Sequence, residues 1–121
     1  MKLKRIDGQF TVCQVPALDP ALLSDPYCFI GKTDEELSLV CLSDRVPADA
    51  QAREDGWRAF RIEGVLDFSL VGILAPIAGA LAQAGIGIFA VSTFNTDYVL
   101  VKAGQLDHAM DVLEGKGYIV E

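Results

Sequence analysis

The run Ser92-Thr93-Phe94-Asn95-Thr96-Asp97-Tyr98 gathers hydroxyls, an amide and a carboxylate into one short stretch. Most of these side chains can hydrogen-bond without being mobile cations, and Asp97 is a natural partner for an ammonium or guanidinium. The same residues also suit a hairpin turn, because Asn and Asp favour turns for backbone reasons alone. A second stretch, Ser69-Leu70-Val71-Gly72-Ile73, lies in a loop that starts at Asp67 and leads from a strand into a helix start. Free backbone N–H groups and the positive end of a helix there favour a carboxylate or a phosphate. Every strand–helix connection shares that property, so the loop taken alone reads equally as a connection. Together, a loop friendly to anions and a loop bearing a carboxylate suit a zwitterion. An α-amino acid is the smallest common example.

The rest of the inventory is thin. The chain has one His (His108), one Trp (Trp57) and three Cys among 121 residues. Cys13, Cys28 and Cys41 form no C-x-x-C pair, and the histidine is far from them, so no closed zinc site is expected. Each cysteine sits in an apolar run and reads as a buried small hydrophobe. An odd cysteine count without a signal peptide points to a reducing, cytoplasmic setting. Gly85-Ile86-Gly87 ends a helix where a dinucleotide fingerprint would open one, and no P-loop lysine is near. His108 lies beside Asp107 and Asp111 on the polar side of the last helix and reads as a solvated surface residue. No metal, no cofactor and no catalytic group is expected.

Charge narrows the partners. Ten basic against 17 acidic residues give a net charge of −7, which disfavours nucleic acid. From Phe68 to Thr96 no side chain is charged, a length that invites comparison with a membrane span. Gly85 and Gly87 divide that stretch into an Ala-rich part and a β-branched or aromatic part, a change from helix to strand preference. A buried helix followed by a buried strand is expected there, and no membrane.

The elements that must position these loops follow from periodicity. Strands are expected at residues 9–15, 27–31 and 37–42, with a short helical turn at 19–24 capped by Asp19 and a weak helix over 47–55. A strand at 57–62 follows, with an extended piece to about Phe68. Then come a helix over 72–84 ended by Gly85, strands at 88–94 and 98–102, a helix over 106–113 and a last strand at 118–120. The class is α+β. The order strand, helix, strand, strand, helix, strand occurs twice, the first time poorly. Each such unit is a ferredoxin-like βαββαβ sandwich, with helices on one face of an antiparallel sheet. The expected domains are a degenerate half over residues 1–56 and a better-formed one over 57–121.

Three segments carry a family resemblance. Val71-Gly72-Ile73-Leu74-Ala75-Pro76, then Ala82-Gln83-Ala84-Gly85-Ile86, then Ala90-Val91-Ser92-Thr93-Phe94-Asn95-Thr96-Asp97-Tyr98-Val99-Leu100-Val101 together resemble an ACT domain. They most resemble the subtype found in small tandem-ACT bacterial proteins, in aspartate kinase regulatory regions and in cytosolic arginine sensors. Leu37-Ser38-Leu39-Val40-Cys41 before Asp44 resembles the first-domain strand of the tandem proteins. The resemblance implies a non-catalytic regulatory module that pairs through its sheets into a homodimer or higher homo-oligomer. It also implies an amino-acid effector held between ACT units, at Ser69, Leu70, Val71, Gly72 and Ile73 and at Ser92, Thr93, Phe94, Asn95, Thr96 and Asp97.

Rival functions share the topology. An acylphosphatase would need a loop arginine for phosphate, and no Arg follows Arg61. RNA binding would need exposed aromatics on a basic sheet. An oligomerisation module without a working ligand site stays open beside the sensor.

Overall fold

The structure, a computed structural model, describes residues 1–67 and 69–121. Phe68, the end of the extended piece expected after Ile62, lies outside the described residues. The strands are β1 (Lys2–Gln14), β2 (Cys28–Lys32), β3 (Leu37–Leu42), β4 (Ala52–Ile62), β5 (Phe89–Ser92), β6 (Asp97–Lys102) and β7 (Ile119–Val120). The helices are α1 (Leu74–Gln83) and α2 (Leu106–Gly115), with short 3-10 turns at Pro20–Ser24, Ser43–Arg45 and Ala103–Gln105. The class is therefore mixed α and β. Pairing is antiparallel for β1 with β3, β2 with β3 and β5 with β6, and parallel for β1 with β7.

Two compact units emerge, Gly8–Trp57 on one hand and Met1–Asp7 with Arg58–Glu121 on the other. Both divisions fall inside strands, in β1 and in β4. In the second unit the strand order is β7, β1, β4, β6, β5. Its core joins Leu3, Phe60, Ile62, Val99 and Val101 of the sheet to Ile77 and Leu81 of α1 and to Met110 and Leu113 of α2. Each helix thus meets the sheet through an apolar face. Both helices stop in the same way. Gly85 and Gly117 take positive φ values of 76° and 99°. Ile86 N–H then donates to Leu81 O at 2.9 Å, and Tyr118 N–H to Leu113 O at 3.1 Å. This left-handed exit satisfies carbonyls that the helix leaves without partners.

The unit Gly8–Trp57 carries β2, β3 and parts of β1 and β4 around Cys13, Val15, Leu22, Leu39 and Cys41. Asp19 caps the 3-10 turn, its Oδ1 accepting from Ala21 N–H at 3.0 Å, with Pro20 in the first position. The helix expected over residues 47–55 is not there. Residues 47–51 turn, and β4 begins at Ala52. So short and polar a segment has no buried stripe to offset helix nucleation. Strand pairing gives its polar groups partners instead: Gln51 N–H donates to Gln14 O at 2.8 Å, and Thr11 Oγ1 donates to Asp55 Oδ1 at 2.6 Å. β1 also begins earlier than expected, at Lys2, with Leu3 and Ile6 buried.

The hairpins β2–β3 and β5–β6 are built alike. Lys32 pairs with Leu37 at the tip of one, and Ser92 with Asp97 at the tip of the other. Thr33 N–H donates to Glu36 O at 2.9 Å, and Thr93 N–H to Thr96 O at 2.9 Å. In each turn the threonine hydroxyl accepts the amide three residues on, from Glu36 at 3.2 Å and Thr96 at 3.4 Å. β3 and β6 both leave into a 3-10 turn through a residue at φ −59°, ψ 140°. Among the described residues, no helix is long and apolar enough to cross a membrane.

Candidate functional site

The hairpin tip between β5 and β6 is held from below. Thr96 is buried, and its Oγ1 donates to Ile62 O, at the end of β4, at 2.7 Å. Leu66 N–H donates to Asn95 O at 2.7 Å, which ties the loop after β4 to the same tip. Farther along that loop, Asp67 Oδ1 accepts from Ser69 N–H at 2.8 Å, and Leu70 N–H donates to Asp67 O at 3.0 Å. This is the local side-chain-to-backbone turn that Asp favours. The Ser69 amide holds the Asp67 carboxyl below its ordinary range.

Between the tip and the loop lies a cavity of about 180 Å³, lined by Leu66, Asp67, Leu70, Ile73 and the whole run Ser92 to Asp97. That is below the roughly 300–1,000 Å³ of pockets for drug-sized ligands. Eight of the eleven residues singled out in the sequence therefore meet around one cavity: Leu70, Ile73, Ser92, Thr93, Phe94, Asn95, Thr96 and Asp97. Ser69, Val71 and Gly72 share the loop but are not among its described lining. The Ser69 amide is turned to Asp67 instead, and Val71 is 88% exposed. Leu66 and Asp67 line the cavity and were not singled out. The Asp-x-Ser spacing, which predicts a local turn that holds a carboxylate, was the available signal.

The polar character of the cavity is one-sided. Asp67 and Asp97 both line it, and no lysine or arginine does so among the described residues. Ser92 Oγ donates to Asp97 Oδ1 at 2.5 Å and fixes that carboxylate beside the tip. Arg61, outside that lining, is engaged by Glu63 and Tyr98. Arg61 Nε donates to Glu63 Oε1 at 2.7 Å, Nη1 to Tyr98 Oη at 3.3 Å, and the guanidinium lies 6.0 Å from the Tyr98 ring centroid. Glu63, hydrogen-bonded to Arg61, is held below its usual carboxylate range. Apolar side chains surround the polar tip: Phe94 is 76% exposed and Leu70 50%. Among the described residues no cluster of His, Cys, Asp or Glu could hold a metal ion. His108 is exposed on α2, away from the cavity lining.

The chain has known relatives. The mouse (Mus musculus) cytosolic arginine sensor for mTORC1 subunit 1 is 42% identical over 102 residues, 78% of this chain and 31% of the sensor. The chain thus spans less than a third of that protein's length. A solved structure from Agrobacterium tumefaciens superposes with a TM-score of 0.89 at 34% identity, over 99% of this chain and 91% of that one. The regulatory subunit of aspartate kinase from Thermus thermophilus superposes with a TM-score of 0.59 at 14% identity, over 93% of each chain, a likeness of fold. The family profile described as the ACT domain matches residues 52–115, more than half of the chain and all but the ends of the site-bearing unit. The chain belongs to the ACT domain family.

Proposed function

We propose that this ACT domain is a non-catalytic regulatory module that binds a basic amino acid at the cavity between the β5–β6 tip and the loop before α1. The observation that carries the reading is the pairing of two carboxylates, Asp67 and Asp97, with no cationic side chain in the described lining. A ligand with an ammonium or guanidinium group supplies the missing charge, and charge-assisted hydrogen bonds are the strong ones. Arginine is the first candidate, since a relative is named for sensing it.

The active form is a homodimer or higher homo-oligomer in the cytoplasm. The exposed Val71 and Phe94 beside the cavity favour a second copy as their cover. The chain as a whole is read as two ferredoxin-like halves, residues 1–56 and 57–121, and the matching β2–β3 and β5–β6 hairpins support a duplication. An oligomerisation module without a ligand is the second reading, favoured by the same exposed apolar side chains.

A thermal-shift series with arginine, lysine, leucine and glutamate tests the assignment. Arginine at 100-fold above its Kd adds about 2.7 kcal/mol to the folded state, and Asp97→Asn removes most of that shift. Equal responses to arginine and glutamate, or none to any amino acid, would overturn the ligand reading.

A further inference from the structure

We propose that Cys28 and Cys41 form a thiol–disulfide site that is oxidised by small-molecule disulfides such as glutathione disulfide. The inference is independent of the ligand cavity. It rests on strand register: Cys28 of β2 stands directly opposite Cys41 of β3. Directly opposed residues of an antiparallel pair have Cα atoms about 4.5 or 5.5 Å apart. Both separations fall within the roughly 4.4–6.8 Å that a disulfide spans.

The third cysteine sharpens the assignment. Cys13 of β1 is opposite Leu39, while Cys41 is opposite Thr11, so Cys13 and Cys41 are diagonal neighbours. Their thiols are close enough to hydrogen-bond. Diagonal Cα atoms nevertheless lie about 7–8 Å apart, beyond the ordinary disulfide span. All three cysteines are free thiols; Cys13 and Cys41 are buried, and Cys28 is half-buried. β2 is also the terminal strand in the sheet order, paired with β3 alone. A soluble disulfide therefore reaches Cys28 first. Burial raises the Cys28 thiol and pushes Cys41 up to about 12, so the resting thiols stay protonated and the exchange is slow.

The chemistry balances as two exchanges. The Cys28 thiolate, having lost its proton to solvent, attacks one sulfur of glutathione disulfide. A mixed disulfide forms and one glutathione thiolate leaves. The Cys41 thiolate then attacks the Cys28 sulfur, forming the Cys28–Cys41 bond and releasing the second glutathione thiolate. The two cysteines lose two electrons, the oxidant gains them, and the two thiolates take up the two protons. The product fastens the terminal strand β2 covalently to β3.

Peptide mapping tests this. The native protein is held with glutathione disulfide, unfolded, alkylated with iodoacetamide, digested and analysed by mass spectrometry. Two of the three thiols are expected to be lost to an intramolecular Cys28–Cys41 bridge, with Cys13 alkylated. Cys41→Ser is expected to stop at a glutathione adduct on Cys28, and Cys13→Ser to keep the bridge. A bridge to Cys13, a disulfide-linked dimer as the main product, or three alkylated thiols under conditions that oxidise the urea-unfolded chain each overturn the proposal. The wild-type map decides the matter even if a serine variant fails to fold.

Discussion

Ser92 and Asp97 face each other across the β5–β6 pair, and the Ser92 hydroxyl donates to Asp97 Oδ1 at 2.5 Å. The bond fixes the carboxylate's orientation and leaves it further lone pairs for another donor. In the matching β2–β3 hairpin, Lys32 stands in the place of Ser92 and Leu37 in the place of Asp97. The β2–β3 tip carries its carboxylates in the turn, at Asp34, Glu35 and Glu36, and has none at the position of Asp97. Ser92→Ala is expected to weaken arginine binding by about 0.5–1.5 kcal/mol, roughly 2- to 12-fold by calorimetry, because Asp97 must then be ordered on binding. Stability should change by less than about 0.5 kcal/mol, since Ser92 is exposed.

Thr96 acts on stability more than on ligand contact. Thr96→Val keeps the shape of the buried side chain but leaves Ile62 O without its donor. A buried carbonyl so orphaned costs about 1–3 kcal/mol. Urea denaturation should show a lower midpoint with an unchanged slope. A variant as stable as the wild type would mean that water replaces the hydroxyl.

Leu81 and Leu70 separate core from site. Leu81 on α1 is fully buried, whereas Leu70 is 50% exposed at the cavity. Leu81→Ala should cost about 2–5 kcal/mol. Leu70→Ala should stay within about 0.5 kcal/mol in stability while lowering affinity for arginine. The reverse pattern in paired melting and binding measurements would displace the loop from the site.

Asp67 carries a pH signature. Its folded-state pKa is depressed by the Ser69 amide. Between the folded and the unfolded values the unfolded chain holds a proton that the folded chain lacks, so stability rises with pH across that interval. The contribution is complete above about pH 4, the ordinary Asp value, and is lost as pH falls through the depressed one. Glu63, lowered by Arg61, behaves with the same sign. Asp67→Asn should flatten the acid limb of a stability–pH curve measured by urea denaturation. An unchanged limb would assign that slope to other carboxylates.

Much of the architecture is legible in residue types. Gly85 and Gly117 mark the ends of α1 and α2 because the left-handed exit suits only glycine well. The stripe of Leu106, Ala109, Met110 and Leu113 marks the buried face of α2, and all four are buried. Strand β3 spans Leu37–Leu42, the residues expected for it. The failures have a common physical cause. Residues 47–55 have Ala-rich composition, but long-range pairing decides their state, and Thr11 and Gln14 lie far away in sequence. The early start of β1 depends likewise on β7 at the other end of the chain. At the site, the run from Ser92 to Asp97 announces itself by composition, whereas Leu66 joins the cavity through a backbone bond to Asn95 that no side-chain pattern encodes.

The parallel pairing of β7 with the first residues of β1 has a consequence for how such a unit can be connected. Lys2 lies opposite Ile119, Leu3 opposite Val120, and Lys2 Nζ is 3.5 Å from Glu121 Oε1. The first and last strands of this unit therefore lie side by side, although the chain also leaves it after Asp7 and returns at Arg58. Units whose ends meet tolerate insertion into a host chain and circular permutation, because joining the ends strains nothing inside.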